Sequence, residues 1–223
     1  MSAEPREAHL AGVASPRPRR RGRPPLNPDG EANGPAETTP QRLLRVSAEL
    51  FAERGFDATG VQELSDASGL ARGALYYHMK SKQDLLHSIA AGLLDEVNER
   101  ARRLAAQDAP VVDRMRLLAR DLLRDLATRR AAWTVVQRDW RALDPPRRQE
   151  VADLRDEYEA IWQRLFDEGA DQGVLEPVDP ILRRGIMGLF NSSYLWIDDR
   201  GEVPTDEIAD RLLRLLLHGL ARE

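Results

Sequence analysis

No cysteine occurs in the 223-residue chain, which excludes disulfides, thiolate nucleophiles and sulfur-ligated zinc. Long hydrophobic runs are also missing. No apolar stretch approaches the roughly 18 residues that span a bilayer, and the N-terminus, with Glu4 and Glu7, lacks the apolar segment of a secretory signal. The expectation is a protein that is neither exported nor membrane-embedded, compatible with the cytoplasm. Histidine is scarce: His9, His78, His87 and His218 fall without metal-ligand spacing, and no glycine-rich phosphate loop or hydrolase elbow appears. Acidic pairs such as Asp156 and Glu157 lie in charge-alternating stretches, where solvation is the ordinary explanation. No catalysis, metal or cofactor is therefore expected.

An excess of positive charge is absent too. The net charge is -4, which argues against indiscriminate coating of nucleic acid. The charge is uneven: up to Ala90 there are 12 Lys+Arg against 11 Asp+Glu, and the remainder holds 21 against 26. What the chain does have is 42% hydrophobic and 31% charged residues, dominated by Ala, Leu, Arg, Glu and Asp, which predicts an all-α fold.

Residues 1–39 are rich in Pro, Gly, Ala and charge without apolar periodicity and read as a disordered basic arm. Within it "RPRRRGRPP" has no acid; its Arg-Gly-Arg-Pro resembles the core of the AT-hook, in which arginines enter a narrow minor groove. The alternative is a solvated tail whose Arg21 and Arg23 assist through phosphate attraction.

From Pro40 a period of 3.6 begins. Thr39 is a candidate cap, Leu43, Val46, Ser47, Leu50 and Phe51 share a face, and Arg54-Gly55 ends the helix. A short helix over 61–68, a Gly69-Leu70 turn with glycine at positive φ, and a second short helix over about 71–79 form a helix-turn-helix. With Leu64, Leu70 and Leu75 turned inward, Arg72, Tyr76, Tyr77 and His78 stay outside, where hydroxyls and the imidazole reach phosphates and Arg72 reaches guanine. Packing of either tyrosine on the preceding helix is the competing reading.

The stretch "RLLRVSAELFAERGFDATGVQELSDASGLARGALYYHMKSKQDLLHSI", 42–89, resembles the DNA-binding domain of TetR-family transcriptional regulators, on Phe51, Gly55, Phe56, Thr59, Leu64, Gly69, Leu75, Tyr76, His78, Lys82 and Leu85. The resemblance implies base or adjacent contacts from Gln62, Arg72 and Tyr77 and phosphate contacts from Tyr76, His78 and Lys82, with Gly73 and Ala74 in the same DNA-facing set. Gly60, Ala71, Ala74 and Met79 depart from the family pattern. Three hydroxyls are thereby lost with their phosphate contacts, a loss the basic arm would offset.

Six further helices are expected at about 82–106, 111–128, 131–143, 146–168, 180–198 and 205–220, cut by Ala109-Pro110, Asp144-Pro145-Pro146, Gly169, Pro177 and Pro204. The expected plan is a basic arm (1–39), a three-helix DNA-binding domain (40–88) and a six-helix ligand-binding and dimerisation domain (89–223). All four tryptophans, Trp133, Trp140, Trp162 and Trp196, lie in this last part with Tyr158, Phe166, Phe190 and Tyr194. They read either as an ordinary helical core or as a ligand cavity with polar handles such as Arg138, Arg141 and Asn191. The family resemblance implies the cavity.

In "ILRRGIMGLFNSSYLW", Gly185, Gly188 and Ser192, with Leu189, admit a close helix. "IADRLLRLLLHGL" carries Leu212, Leu216 and Leu220 on a broad apolar side that needs a partner. The resemblance implies that these helices pair with their copies in a homodimer; burial within one chain is the alternative. The C-terminal segment "FNSSYLWIDDRGEVPTDEIADRLLRLLLHGL" further resembles a TetR subgroup regulating lipid and steroid catabolism that can sense acyl-CoA thioesters, with Ser192 and Asp198 replacing common aromatics. The expected function is a repressor released from a palindromic double-stranded DNA operator by a hydrophobic or acyl-CoA effector. A DNA-binding regulator or activator without acyl-CoA control is the alternative.

Overall fold

Thr38 rather than Thr39 starts the first helix: its side chain accepts from Gln41 N (3.4 Å) while Gln41 Oε1 accepts from Thr38 N (2.9 Å). This reciprocal box satisfies two amides that a helix start leaves open. The computed structural model describes residues 37–220, with Leu220 described by its backbone alone. The expectations for the arm, including Arg21 and Arg23, and for the Leu220 side chain lie outside the described residues.

Helix α1 (Thr39–Arg54) buries Leu43, Val46, Ser47, Ala48 and Phe51 and ends at Gly55, whose φ is 93°. Helix α2 (Val61–Ser68) stops at Gly69, which takes φ 69°, the left-handed conformation that glycine adopts without strain. The turn is locked by Ser65, whose Oγ donates to Leu70 O at 2.6 Å. Helix α3 (Arg72–His78) follows, with Leu64 and Leu75 fully buried between α2 and α3.

Ser81 and Asp84 cap helix α4 (Lys82–Ala105) reciprocally: Ser81 N donates to Asp84 Oδ2 (2.7 Å) and Asp84 N to Ser81 Oγ (3.2 Å). The boundary expected between 88 and 89 falls inside this helix. Helices α5 (Val111–Thr128), α6 (Arg130–Arg138), α7 (Pro145–Asp171), α8 (Pro180–Asn191) and α9 (Thr205–Leu220) complete nine α-helices among the described residues, with no strand. None of these helices is long and apolar enough to cross a membrane.

Two helices are shorter than their sequence periodicity predicts. Helix α6 ends at Arg138 and passes into a 3-10 turn, Trp140–Ala142, and Pro145 holds Asp144 extended as the cap of α7, so the two helices stay separate. Helix α8 ends at Asn191 in another 3-10 turn, Ser192–Leu195. There Ser192 Oγ (3.1 Å) and Ser193 Oγ (3.4 Å) both donate to Leu189 O, a local alternative to regular helix.

The C-terminal half is layered by α4 against α7 and α5 against α9. At its centre Trp162 is fully buried, stacked on Phe190 (ring centroids 5.6 Å) and beside Phe166 (5.8 Å). One buried carboxylate ties three helices: Asp125 accepts from Arg100 (2.5 Å), Arg129 (2.7 Å) and the indole N–H of Trp133 (2.7 Å). Burying that charge is tolerable only because it is paired on several sides. Arg124–Asp206 (2.7 Å) and Arg120–Asp210 join α5 to α9.

Candidate DNA-binding face and effector site

The outward face of α3 is contiguous. Arg72, Gly73, Ala74, Tyr76, Tyr77 and His78 are exposed, while Leu75 and Met79 hold the helix from below. Tyr77 is 86% exposed and meets the His78 ring edge-on at 5.2 Å. A ring so far from any core does not support the fold, which removes packing on the preceding helix as the explanation for Tyr77. Gln62 is exposed on α2, its amide donating to Asp66 at 2.9 Å. Ala71 caps α3 without a side-chain bond and Gly60 caps α2, its N–H donating to Glu63 Oε2 at 2.7 Å. The hydroxyls lost at both caps are therefore absent from the DNA-facing side.

Lys82, expected to face phosphate, points to the loop that precedes α2. Its Nζ donates to Phe56 O (2.7 Å), Thr59 O (3.1 Å) and Asp57 O (3.4 Å) and lies 4.3 Å from the Phe56 ring centroid.

Between α7 and α8 lies a recess of about 460 Å³ lined by Gln137, Arg155, Glu159, Arg184, Met187, Gly188, Asn191, Ser192, Tyr194 and Leu195. It narrows inward to a neck of about 20 Å³ between Leu94, Trp133, Gln137, Arg155, Tyr158, Glu159 and Asn191. It adjoins a recess of about 590 Å³ that shares Glu159 and Arg184 and adds Asp156, Ala160, Gln163, Arg164 and Arg183. The tyrosine at the neck is fully desolvated, which pushes the Tyr158 hydroxyl far above its ordinary pKa and keeps it neutral.

Of the expected effector residues, Asn191 and Tyr194 lie at the recess and Trp133 and Tyr158 at the neck. The others are elsewhere. Trp162 and Phe166 are core, Trp162 stacked on Phe190 and tilted against Phe166. Trp196 is 54% exposed beyond the end of α8. Arg138 pairs with Asp139 (2.9 Å) and donates to the carbonyls of Phe51 and of Ala52 (3.0 Å), fastening α6 to the end of α1. Arg141 lies on the Trp140 ring at 4.8 Å.

The cation that does line it is Arg155. Both terminal nitrogens of its guanidinium donate to Gln137 Oε1 (3.3 Å each), it lies 5.4 Å from the Trp140 ring, and among the described residues no carboxylate forms an ion pair with it. Burial, with Arg141 nearby, lowers its pKa below the ordinary guanidinium value. The sequence carries the signal: Val151, Arg155, Tyr158, Trp162 and Phe166 form one helical stripe, so Arg155 occupies a position on the inward face of α7.

On the expected pairing surface, Gly185, Gly188 and Ser192 are exposed, and neither glycine has an atom within 4 Å of an added Cβ. Leu189 and Leu212 are half-buried, whereas Leu216 turns into the core of its own chain. The outward leucine of α9 is Leu215, 66% exposed, accompanied on the α8 side by Ile181 (81%) and Leu195. Leu216 packs inward with Ala209 and Leu213 where α9 lies on α5, which exchanges the expected roles of Leu215 and Leu216.

Residues 43–89 match the model for bacterial regulatory proteins of the tetR family, and residues 108–220 the tetracyclin repressor-like C-terminal domain. The HTH-type transcriptional repressor KstR2 of Mycobacterium tuberculosis is 26% identical over 185 residues, covering 81% of this chain and 92% of that protein. The crystal structure of PfmR from Thermus thermophilus, a TetR-family regulator, is similar with a TM-score of 0.74 at 28% identity, over 81% of this chain and all of that one. AibR in complex with isovaleryl coenzyme A and operator DNA has a TM-score of 0.71 at 24% identity, over 80% of this chain and 97% of that one. With a helix-turn-helix whose outward face is free and both halves matched, the chain belongs to the TetR family of transcriptional regulators and is not an enzyme.

Proposed function

We propose that the chain is a cytoplasmic, ligand-responsive repressor that binds a palindromic operator as a homodimer and is released by an acyl-CoA thioester. The observation that carries the ligand class is the α7–α8 recess, cationic outside and aromatic within. Arg155, Arg164, Arg183 and Arg184 outnumber Asp156 and Glu159 along it, which suits a polyanionic head, while an acyl tail would enter by opening the apolar neck between Trp133 and Tyr158, which at about 20 Å³ is closed to it here. AibR, which carries isovaleryl coenzyme A, supports the same class. Exposed Ile181, Leu195 and Leu215 beside Gly185 and Gly188 support a second copy as partner.

Release requires that the effector favour the DNA-incompetent arrangement. Arg155 lies on Trp140, which opens the 3-10 turn. The same turn is bonded to α4: Gln83 Nε2 donates to Ala142 O (2.9 Å), Asp144 N donates to Gln83 Oε1 (3.3 Å), and Arg147 pairs with Asp84. An anion that draws Arg155 off Trp140 moves the turn, and with it the first turn of α4 beside the DNA-binding unit.

The test is calorimetry with a panel of acyl-CoA thioesters, together with their effect on binding to a duplex that the protein selects from a randomised pool. Arg155→Gln is expected to weaken thioester binding by about tenfold or more, the usual worth of a charge-assisted hydrogen bond, and to blunt the release of DNA by the thioester. A panel that neither binds nor releases DNA overturns the ligand class in favour of a free hydrophobic, drug-like or natural-product effector.

A further inference from the structure

Of the 33 basic residues in the chain only two are lysines, Lys80 and Lys82, and both follow the recognition helix directly. Lys80 is exposed, but Lys82 is half-buried and faces inward. We infer that Lys82 is a positioning residue of the DNA-binding unit: its ammonium clamps the 56–59 loop to the start of α4 and does not contact the DNA backbone.

Three carbonyls converge on this one nitrogen, from Phe56 (2.7 Å), Thr59 (3.1 Å) and Asp57 (3.4 Å). An ammonium has three donors, so none is left over for a phosphate. The Phe56 ring, 4.3 Å away and itself edge-on to Phe51 at 5.3 Å, closes the remaining side as a cation–π contact. A guanidinium, planar and with its donors fanned outward, does not fit three acceptors converging on a point, which accounts for lysine at this position in a chain otherwise built with arginine.

The clamp has a structural consequence for DNA binding. The 56–59 loop is further braced by Thr59, whose Oγ1 donates to Gly55 O at 2.8 Å, and it delivers the chain to Gly60, the cap of α2. The position of the loop therefore sets α2, and through the Gly69 turn sets α3. The next residues along α4 face the other way: Gln83 and Asp84 bond the 3-10 turn and α7, and His87 Nε2 lies 2.8 Å from Glu150. One turn of α4 is thus bonded to the DNA-binding loop through residue 82 and to the regulatory half through residues 83, 84 and 87. Displacement of that turn is transmitted to the loop by Lys82.

This inference rests on the DNA-binding reading of α3, so its tests include one that needs no DNA. In the effector-free full-length chain, Lys82→Met and Lys82→Arg are each expected to weaken binding to the selected duplex by about tenfold, with the slope of log affinity against log salt unchanged. If Lys82→Met lowers that slope by about one unit while Lys82→Arg binds normally, Lys82 is a phosphate contact and the clamp is overturned. Unchanged affinity in both variants overturns it as well. The second measurement uses the unmodified chain without DNA: an amine-directed acetylating reagent, read by mass spectrometry, is expected to modify Lys80 many times faster than Lys82. Equal rates overturn the proposal whether or not the variants fold.

Discussion

Replacing Arg72 and Tyr77 together by alanine will lower affinity for the selected duplex by about a hundredfold or more while leaving the thermal midpoint nearly unchanged. A bidentate arginine–guanine pair discriminates by roughly 1–3 kcal/mol, and loss of an aromatic contact adds to that. Both side chains are on the exposed face of α3, and Tyr77, 86% exposed, meets the His78 ring edge-on. Substitutions at such positions usually alter stability by no more than about 0.5 kcal/mol. The two residues are neighbours on a short helix, so the single losses need not add. Anisotropy titration at fixed salt, paired with a circular-dichroism melt, separates contact from fold. Undiminished affinity in the double variant would place base recognition on another surface.

The largest effect on stability is expected from Trp162→Ala. Its ring is fully buried, stacked on Phe190 at 5.6 Å and beside Phe166 at 5.8 Å, on a helix that also packs against α4. Removing a buried tryptophan costs about 3–5 kcal/mol, the lost transfer energy plus a cavity that the surrounding helices fill only in part. For a chain of this size the thermal midpoint should fall by roughly 10 °C. Trp196→Ala, at a half-exposed ring, should leave the midpoint almost unmoved. Equal melting of the two variants would mean that Trp162 lines an open cavity.

The DNA-binding half is legible in the sequence because each of its signals is local. Gly69 is followed by a leucine that closes the turn, Leu64 and Leu75 have no other place to go, and the departures at Gly60 and Ala71 appear as caps without hydroxyls. Helices α2, α5 and α9 have the predicted limits for the same reason. What escapes a sequence reading depends on partners distant along the chain. Lys82 reads as a surface cation until the loop carbonyls 23 to 26 residues upstream come to it. Arg138 reads as a pocket handle until α1, 86 residues away, presents its terminal carbonyls. Leu215 and Leu216 are adjacent members of one apolar run, and only the packing of α9 on α5 decides which of them faces out. Arg155 is the exception: its place on the stripe of α7 is legible, yet one arginine among many looks like solvated surface.

The four tryptophans occupy four different environments, which makes the unmodified chain its own optical reporter. Trp162 is sealed between rings, Trp133 has its indole N–H on a buried carboxylate, Trp140 lies beside two guanidinium groups, and Trp196 stands half in solvent at the end of α8. Iodide should therefore reach one emitter well before the other three, and the quenchable part of the spectrum belongs to Trp196. Loss of that accessible fraction as protein concentration rises reports coverage of the α8 face. A change in the inaccessible fraction reports the turn around Trp140, so the two events can be followed in one cuvette without a label.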